Sequence, residues 1–158
     1  MKSSNTVFVG ADHRGFKLKA KIIKFLQDKK LLAIDVGAFN EEPCDYPLIA
    51  FKLAKNVAAS KRNRGILVCK TGIGDSIAAN KVKGMRAALC YNTKAARLSR
   101  EHNDANVLVL GSDFVKEKDA QKIINIWLKT KFQGGRHLRR VNQIRKFEGR
   151  MKDITYGA

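Results

Sequence analysis

Short apolar runs alternate with longer segments of helical period along most of the chain. Five runs have the length and composition of buried strands: Val7–Gly10, Ala33–Val36, Gly65–Val68, Met85–Cys90 and Val107–Gly111. Strands that alternate with amphipathic segments are typical of a parallel sheet joined by crossover helices. The pattern therefore predicts an α/β fold with a parallel sheet of about five strands.

Helical period is clearest in Lys116–Thr130, where the apolar residues follow the i, i+3, i+4, i+7, i+8 template. Other helices are expected from Phe16, over Leu48–Ala59, Ser76–Lys81 and Thr93–Glu101, and from His137 onward. The last of these has an apolar side but no following strand to cover. We therefore expect it to pack on a partner subunit.

The helix that begins at Phe16 has an amphipathic pattern. Its predicted core stripe is Phe16, Ala20, Ile23 and Leu26, and its predicted solvent face is Lys17, Lys19, Lys21 and Lys24. An ordinary surface helix is expected here, with all four lysines in water.

The 158 residues are enough for one domain, expected over 1–158 with a core at about 6–150 and a loose tail at 151–158. No apolar stretch approaches the ~20 residues of a membrane-spanning helix, and the first residues lack the pattern of a secretion signal. Cys44, Cys69 and Cys90 are odd in number and have no CxxC spacing, so free thiols are expected. These features favour a cytoplasmic protein.

The formal net charge is +18, from 32 Lys and Arg against 14 Asp and Glu. Such a surface attracts anions, including phosphate esters and nucleic acid. Lysines spread over solvated helix faces explain most of this charge more simply than a nucleic-acid surface does. The segment 136–152 is the exception, because its basic residues are opposed only by Glu148. Some of its arginines are therefore candidates for a specific role.

A glycine-rich turn, Cys69–Ser76, follows the third predicted strand. It is not a P-loop, because Cys69 stands where the glycine before the lysine is required, and it lacks the third glycine of a dinucleotide fingerprint. Its amide groups could stabilise a negative oxygen while the thiol moves a proton. A helix start and Lys70 are expected to lower the pKa of Cys69; the alternative is a buried, inert cysteine.

Other polar residues lie near the predicted strand ends. Asp12-His13 follows the first strand and Ser112-Asp113 the fifth, while His102-Asn103-Asp104 precedes the fifth. In α/β sheets, ligands bind at the carboxyl ends of strands. Asp12 and Asp45 also have the positions of N-caps for the helices near Phe16 and Pro47, and capping does not exclude catalysis.

Several separate motifs resemble one family. They are Gly10–Lys19, Asp45-Tyr46-Pro47, Cys69–Lys81, Ser99–Leu108 and Gly134–His137. These resemble the type B ribose-5-phosphate isomerases, relatives of the galactose-6-phosphate isomerase subunits, over roughly Val7–Arg150. The resemblance implies a Rossmann-like three-layer α/β sandwich that forms dimers or tetramers with shared active sites. It also implies aldose–ketose isomerisation of ribose 5-phosphate and ribulose 5-phosphate without metal or cofactor.

The resemblance also implies roles for particular residues. His102 would help open the furanose ring, with Asp12 near the ring oxygen, and Cys69 would carry a proton between C2 and C1. Thr71 would assist, while the amides from Lys70 through Gly72, Ile73 and Gly74 to Asp75 hold the enediolate oxygen. His13, Arg136 and Arg140 would bind the phosphate, and Tyr46 and Asn103 complete the expected substrate-binding residues.

Three positions depart from the family pattern. Lys70 replaces the usual glycine after the cysteine, which requires a negative φ at that residue. Asp113 stands where arginine is frequent, and Asp75 stands where cysteine-type members have an apolar residue and another branch has a glutamate base. Cys69 is the favoured base, because aspartate is shorter than glutamate.

Two alternative functions remain open at this point. One is isomerisation of another sugar phosphate, such as allose or galactose 6-phosphate or a tetrose phosphate, which Asp75 and Asp113 could favour. The other is nucleic-acid binding on the same scaffold, motivated by the net charge of +18. The histidines and the thiol favour chemistry over nucleic-acid binding, and no membrane partner is expected.

Overall fold

A computed structural model describes residues 6–150 of the chain. The expected tail at 151–158 lies outside the described residues. The strands are β1 (Thr6–Ala11), β2 (Leu32–Asp35), β3 (Arg64–Cys69), β4 (Ala87–Leu89) and β5 (Val107–Gly111). The helices are α1 (Phe16–Asp28), α2 (Tyr46–Ala58), α3 (Ile73–Ala79), α4 (Thr93–Asn103), α5 (Glu117–Lys129) and α6 (Arg136–Arg150).

The five strands form one parallel sheet in the order β2-β1-β3-β5-β4. The predicted α/β fold and its parallel sheet of about five strands are therefore confirmed. Most predicted elements lie within three residues of the observed bounds. The largest differences are at α3, which begins inside the glycine-rich turn, and at β4, which pairs over three residues only.

Two apolar clusters cover the two faces of the sheet, which makes the three layers of the fold. One cluster joins β1, β3 and β5 to α1, α4 and α5 and includes the fully buried Trp127. The other joins the sheet to α2 and α3. Gly65 on β3 allows α2 to approach closely, because a Cβ there would lie 2.5 Å from Leu53 Cδ2.

The prediction for α1 is wrong in one important respect. The buried residues are Leu18, Lys19, Ile22 and Leu26, whereas Ala20 is exposed. Lys19 is only 1% exposed. Its Nζ lies 2.6 and 2.8 Å from the two carboxylate oxygens of Asp35 and also donates to the Ala38 carbonyl. A buried cation with these partners fastens α1 to the segment after β2.

The last helix, α6, packs on α4 but leaves most of its apolar residues uncovered. His137 and Val141 are buried, whereas Leu138, Ile144 and Phe147 are exposed. Among the helices of the described residues, none is long and apolar enough to cross a membrane.

Candidate active site

The strand order places a candidate ligand site, which we call the crevice, between the carboxyl ends of β1 and β3. From β1 the chain places β2 on one side and β3 on the other, and ligands bind at such reversals in open α/β sheets. Ala11 pairs with Val68. Asp12, which follows β1, and Cys69, which ends β3, therefore lie at neighbouring strand ends.

The glycine-rich turn packs closely against the ends of β4 and β5. Gly72 has φ of 81°, and a Cβ there would lie 2.4 Å from Leu89 Cδ1. At Gly111 a Cβ would lie 2.4 Å from the Thr71 carbonyl oxygen, to which Tyr91 also donates its hydroxyl at 3.2 Å. Both glycines are thus required by close packing, and the turn has one fixed shape.

The amides of the turn fall into two groups. The Gly72 N–H donates to Cys69 Sγ at 3.1 Å, and the Ile73 N–H donates to Thr71 Oγ1 at 3.2 Å. The amides of Thr71 and Gly74 donate to no acceptor within residues 6–150. These two N–H groups are therefore available to an oxygen anion of a ligand.

Tyr46 covers the turn from the start of α2. A Cβ at Gly74 would lie 2.5 Å from Tyr46 Cζ and 2.8 Å from its hydroxyl oxygen. Asp45 occupies the predicted N-cap position of α2, but its side chain accepts no capping hydrogen bond. The start of α2 thus places Tyr46 against the turn, where the predicted substrate-binding role would need it.

The Cys69 thiol has a higher pKa than the sequence predicted. It is 5% exposed. Burial, followed by the nearby Asp75 carboxyl, raises its pKa to about 11, although the amides of Gly72 and Asp75 act in the opposite direction. The prediction of a lowered pKa is therefore wrong. Lys70 does not compensate, because its ammonium extends toward Asp113 instead.

Asp75 lies inside the protein beside this thiol. It is 1% exposed, and its Oδ2 has no hydrogen-bond partner in the described part of the chain. Burial raises its pKa to about 7; the Cys69 thiol lowers it by hydrogen bonding and the Asp12 charge raises it. A buried carboxyl group with a pKa of about 7 therefore lies beside the thiol.

Asp12 and His13 complete this edge of the sheet. Asp12 Oδ1 accepts the amides of Arg14 and Gly15, each at 2.9 Å. The N-cap of α1 is Gly15, so Asp12 orders the loop before the helix instead of capping its first turn. His13 Nδ1 accepts the Cys44 amide at 3.3 Å. Its Nε2 is thereby left as the hydrogen-bond donor.

Two of the departures from the family pattern face each other. Lys70 Nζ lies 4.0 Å from Asp113 Oδ2, with both side chains about half exposed. Among residues 6–150 other than glycine, positive φ occurs only at Lys30 and Asp104. Lys70 thus has the negative φ that a side chain at this position requires.

The remaining predicted residues lie at the opposite ends of the strands, near the amino end of β5. His102 and Asn103 end α4, immediately before β5, and Arg136 and Arg140 begin α6. Cys69 pairs with Gly111 at the far end of β5. Five strand residues span about 16 Å. One chain therefore does not bring His102, Asn103, Arg136 and Arg140 to Cys69.

His137 also belongs to this second group; it is part of the Gly134–His137 motif, but the sequence analysis assigned it no role in the site. Its ring stacks on that of His102, with centroids 4.1 Å apart and planes inclined by 7°. Burial, followed by the nearby His102, Arg136 and Arg140, lowers the pKa of His137. Its placement four residues before Val141, on the one buried stripe of α6, was the available signal.

An open parallel sheet with a thiol, a carboxyl group and unpartnered amides in its ligand crevice defines an α/β enzyme. The family model described as Ribose/Galactose Isomerase matches residues 7–144. The chain belongs to this family, as the motifs indicated.

Relatives match over nearly their whole length. A probable ribose-5-phosphate isomerase B of Mycoplasma pneumoniae is 44% identical, covering 94% of this chain and 98% of its own. Ribose-5-phosphate isomerase B of Escherichia coli is 45% identical over 89% of this chain and 95% of its own.

Solved structures agree with this relationship. Ribose-5-phosphate isomerase B of Clostridium thermocellum has a TM-score of 0.89 at 47% identity, covering 91% of this chain and 97% of its own. The Mycoplasma genitalium enzyme with bound ribulose 5-phosphate has a TM-score of 0.88 at 41% identity, covering 92% and 97%.

Proposed function

We propose that this protein is an isomerase that interconverts ribose 5-phosphate and ribulose 5-phosphate through an enediolate. The observation that carries the proposal is the Cys69 sulfur beside the unpartnered amides of Thr71 and Gly74. Relatives named ribose-5-phosphate isomerase B, one of them with bound ribulose 5-phosphate, support this substrate. The reaction moves a proton within the substrate, so its balance needs no oxidant or reductant.

The crevice supplies the parts that this proton transfer needs. Removing a proton next to a carbonyl places negative charge on oxygen, which preorganised N–H donors stabilise. Cys69 carries the proton between C2 and C1. Thr71 Oγ1 already accepts the Ile73 amide, so its hydroxyl hydrogen is free to donate to the substrate.

A second copy of the chain completes each site in this proposal. His102, which opens the sugar ring, and Asn103 come from the partner, because they lie a strand length from Cys69 within one chain. Exposed apolar residues occur at both ends of the strands: Leu48, Ile73 and Ile77 beside the crevice, and Leu138, Ile144 and Phe147 on α6. Surfaces of this kind are buried in stable dimers, and dimers could pair further into tetramers.

The phosphate is held from two sides. His13 offers Nε2–H beside Asp12, and Arg136 and Arg140 reach across from the partner. Guanidinium groups bind phosphate oxygens bidentately, and this remote binding energy positions the reacting carbons. We further infer a cytoplasmic enzyme, because Cys44, Cys69 and Cys90 are free thiols, which suits a reducing compartment.

The test is an isomerase assay on a panel of sugar phosphates. Ribose 5-phosphate should be converted with the highest kcat/KM, above allose 6-phosphate, galactose 6-phosphate and a tetrose phosphate. Cys69→Ala should lower kcat by at least about 100-fold, whereas Cys44→Ala should not. Preference for a hexose or tetrose phosphate would contradict the proposed substrate and point to Asp113 as its cause.

A further inference from the structure

Asp75 occupies a position that would suit an apolar side chain. It lies in the first turn of α3, whose other buried residues are Ala78 and Ala79. Burying a carboxyl oxygen without a partner costs about 1–3 kcal/mol, and more if it is charged. Nothing in the packing of α3 repays this cost, so the carboxyl group requires a functional explanation.

The thiol of Cys69 is the group that the carboxyl faces. The two groups lie close enough for the Asp75 charge to raise the pKa of the thiol and for the thiol to lower the pKa of the carboxyl. Asp12 is the only other charged group that influences both residues, and it is also acidic. Within residues 6–150, no lysine or arginine counters the two carboxyl groups at the sulfur.

We infer that Cys69 and Asp75 form a proton-sharing pair, in which the buried carboxylate takes the thiol proton as the sulfur becomes the base toward the sugar. This inference rests on the proposed function. Asp75 is a positioning residue here, because it acts on the substrate only through Cys69.

The proton balance closes within the pair and the substrate. The thiol proton passes to the Asp75 carboxylate, which leaves a thiolate and a neutral acid. The thiolate then takes the proton from C2, and the electron pair of that C–H bond forms the enediolate. The same sulfur returns the proton to C1 while the hydroxyl proton on O2 passes to O1, so that C2 becomes the carbonyl carbon. The acid then returns its proton to the sulfur. No net charge enters or leaves the crevice.

The burial of the two side chains favours a mechanism in which Cys69 takes the proton from the sugar over one in which Asp75 takes it directly. Asp75 is 1% exposed and its Oδ2 is sealed from solvent, whereas Cys69 is 5% exposed. The need for a partner base is also clear, since a thiol with a pKa of about 11 is nearly all protonated at neutral pH. Between about pH 7 and pH 11 the pair holds one proton.

The experiment compares the full-length wild type with Asp75→Asn, an isosteric change that removes the charge and the ability to take up a proton. Alkylation of each cysteine by iodoacetamide is followed from pH 6 to 10 by peptide-resolved mass spectrometry, and kcat and KM are measured over the same range. Cys90 is the internal control, because burial also raises its pKa to about 11 without a carboxyl beside it.

The expected result has two opposite parts. Without the Asp75 charge, Cys69 should be alkylated about tenfold faster at pH 8, while Cys90 is unchanged. The kcat should nevertheless fall about 100-fold with KM within about twofold, and the acidic limb of kcat near pH 7 should disappear. In a Cys69→Ala background, Asp75→Asn should cause no further loss.

Three outcomes would overturn the pair. A more reactive Cys69 with higher or unchanged kcat would make Asp75 a bystander charge. Unchanged alkylation and turnover would make it purely structural. Residual turnover of Cys69→Ala that depends on Asp75 would make Asp75 a direct base. If the wild type isomerises no sugar phosphate at all, the proposed function fails. The interaction between Cys69 and Asp75 is tested separately, because it is overturned if Asp75→Asn leaves the alkylation rate of Cys69 unchanged.

Discussion

Burial and neighbouring groups determine the pKa values of the two buried ionisable residues beside the crevice. Cys69 and Asp75 both lie away from water, where the charged form of an acid is disfavoured. Their pKa values therefore rise, to about 11 and about 7. Sequence neighbours alone would predict the reverse for Cys69, since Lys70 is adjacent. The contacts in space decide the outcome.

Asp75 makes the stability of the protein dependent on pH. Its pKa rises from 3.8 to about 7 on folding, so between these values the folded chain binds more protons than the unfolded chain. The free energy of unfolding therefore falls as pH rises from about 4 to about 7. At pH 8, Asp75→Asn should be about 2–4 kcal/mol more stable than the wild type, and near pH 4 about equal to it.

Urea denaturation at both pH values measures this difference. Asp113→Asn is the matched control, because Asp113 is about half exposed and should change stability by less than about 0.5 kcal/mol at either pH. An equal gain for Asp75→Asn at pH 4 and pH 8 would show that its charge is not the cause.

A single methyl group at Gly74 should disturb the turn. Its Cβ would meet the Tyr46 ring at 2.5 Å, so either the ring or the amide at residue 74 must move. We expect Gly74→Ala to lower kcat/KM by about 10- to 100-fold. The control is Gly149→Ala on α6, where a Cβ meets open space; retention of full activity in both variants would contradict the assigned role of the turn.

Helix α1 shows how an element can be anchored by a buried charge. Lys17 and Lys19 differ by two positions, yet Lys17 pairs with Glu41 in water while the buried ammonium of Lys19 pairs with the partly exposed Asp35. Lys19→Met keeps the side-chain volume but leaves Asp35 and the Ala38 carbonyl without this donor. Its cost should be about 2–3 kcal/mol.

Chemical denaturation of the two lysine variants tests the anchor. Lys17→Met should change the free energy of unfolding by less than about 0.5 kcal/mol, because its ion pair is exposed. A Lys19→Met protein as stable as the wild type would mean that the Lys19–Asp35 pair contributes specificity of packing and no net stability.

In the proposed dimer each active site takes Cys69 from one chain and His102 from the other, so two inactive variants should complement each other. Cys69→Ala and His102→Ala should each be inactive alone, since each removes one member from every site. After the two are unfolded together and refolded, half of the dimers are hybrids with one intact site. About a quarter of wild-type activity should then return.

Native mass spectrometry verifies that the hybrids have formed. Recovered activity in proportion to the hybrid fraction would support the shared site. Hybrids without activity would place both residues in the same chain's site, against the separation seen between the two ends of the strands.

Local pattern determined much of this protein. Apolar runs and helical periods identified the strands and most helices, because burial of alternating segments leaves a strong signature in sequence. Motifs that extend over nearly the whole chain identified the family, and the glycine turn identified Cys69. Each of these depends on residues that are close in sequence.

Tertiary structure alone decided what depends on distant contacts. It placed β1 beside β3, buried Lys19 against Asp35, stacked His137 on His102, and raised the pKa of Cys69 through burial and the nearby Asp75. It also separated His102 from Cys69 by the length of a strand. Burial and electrostatic interaction act through space, and the order of residues along a chain does not specify which groups will share a low-dielectric environment.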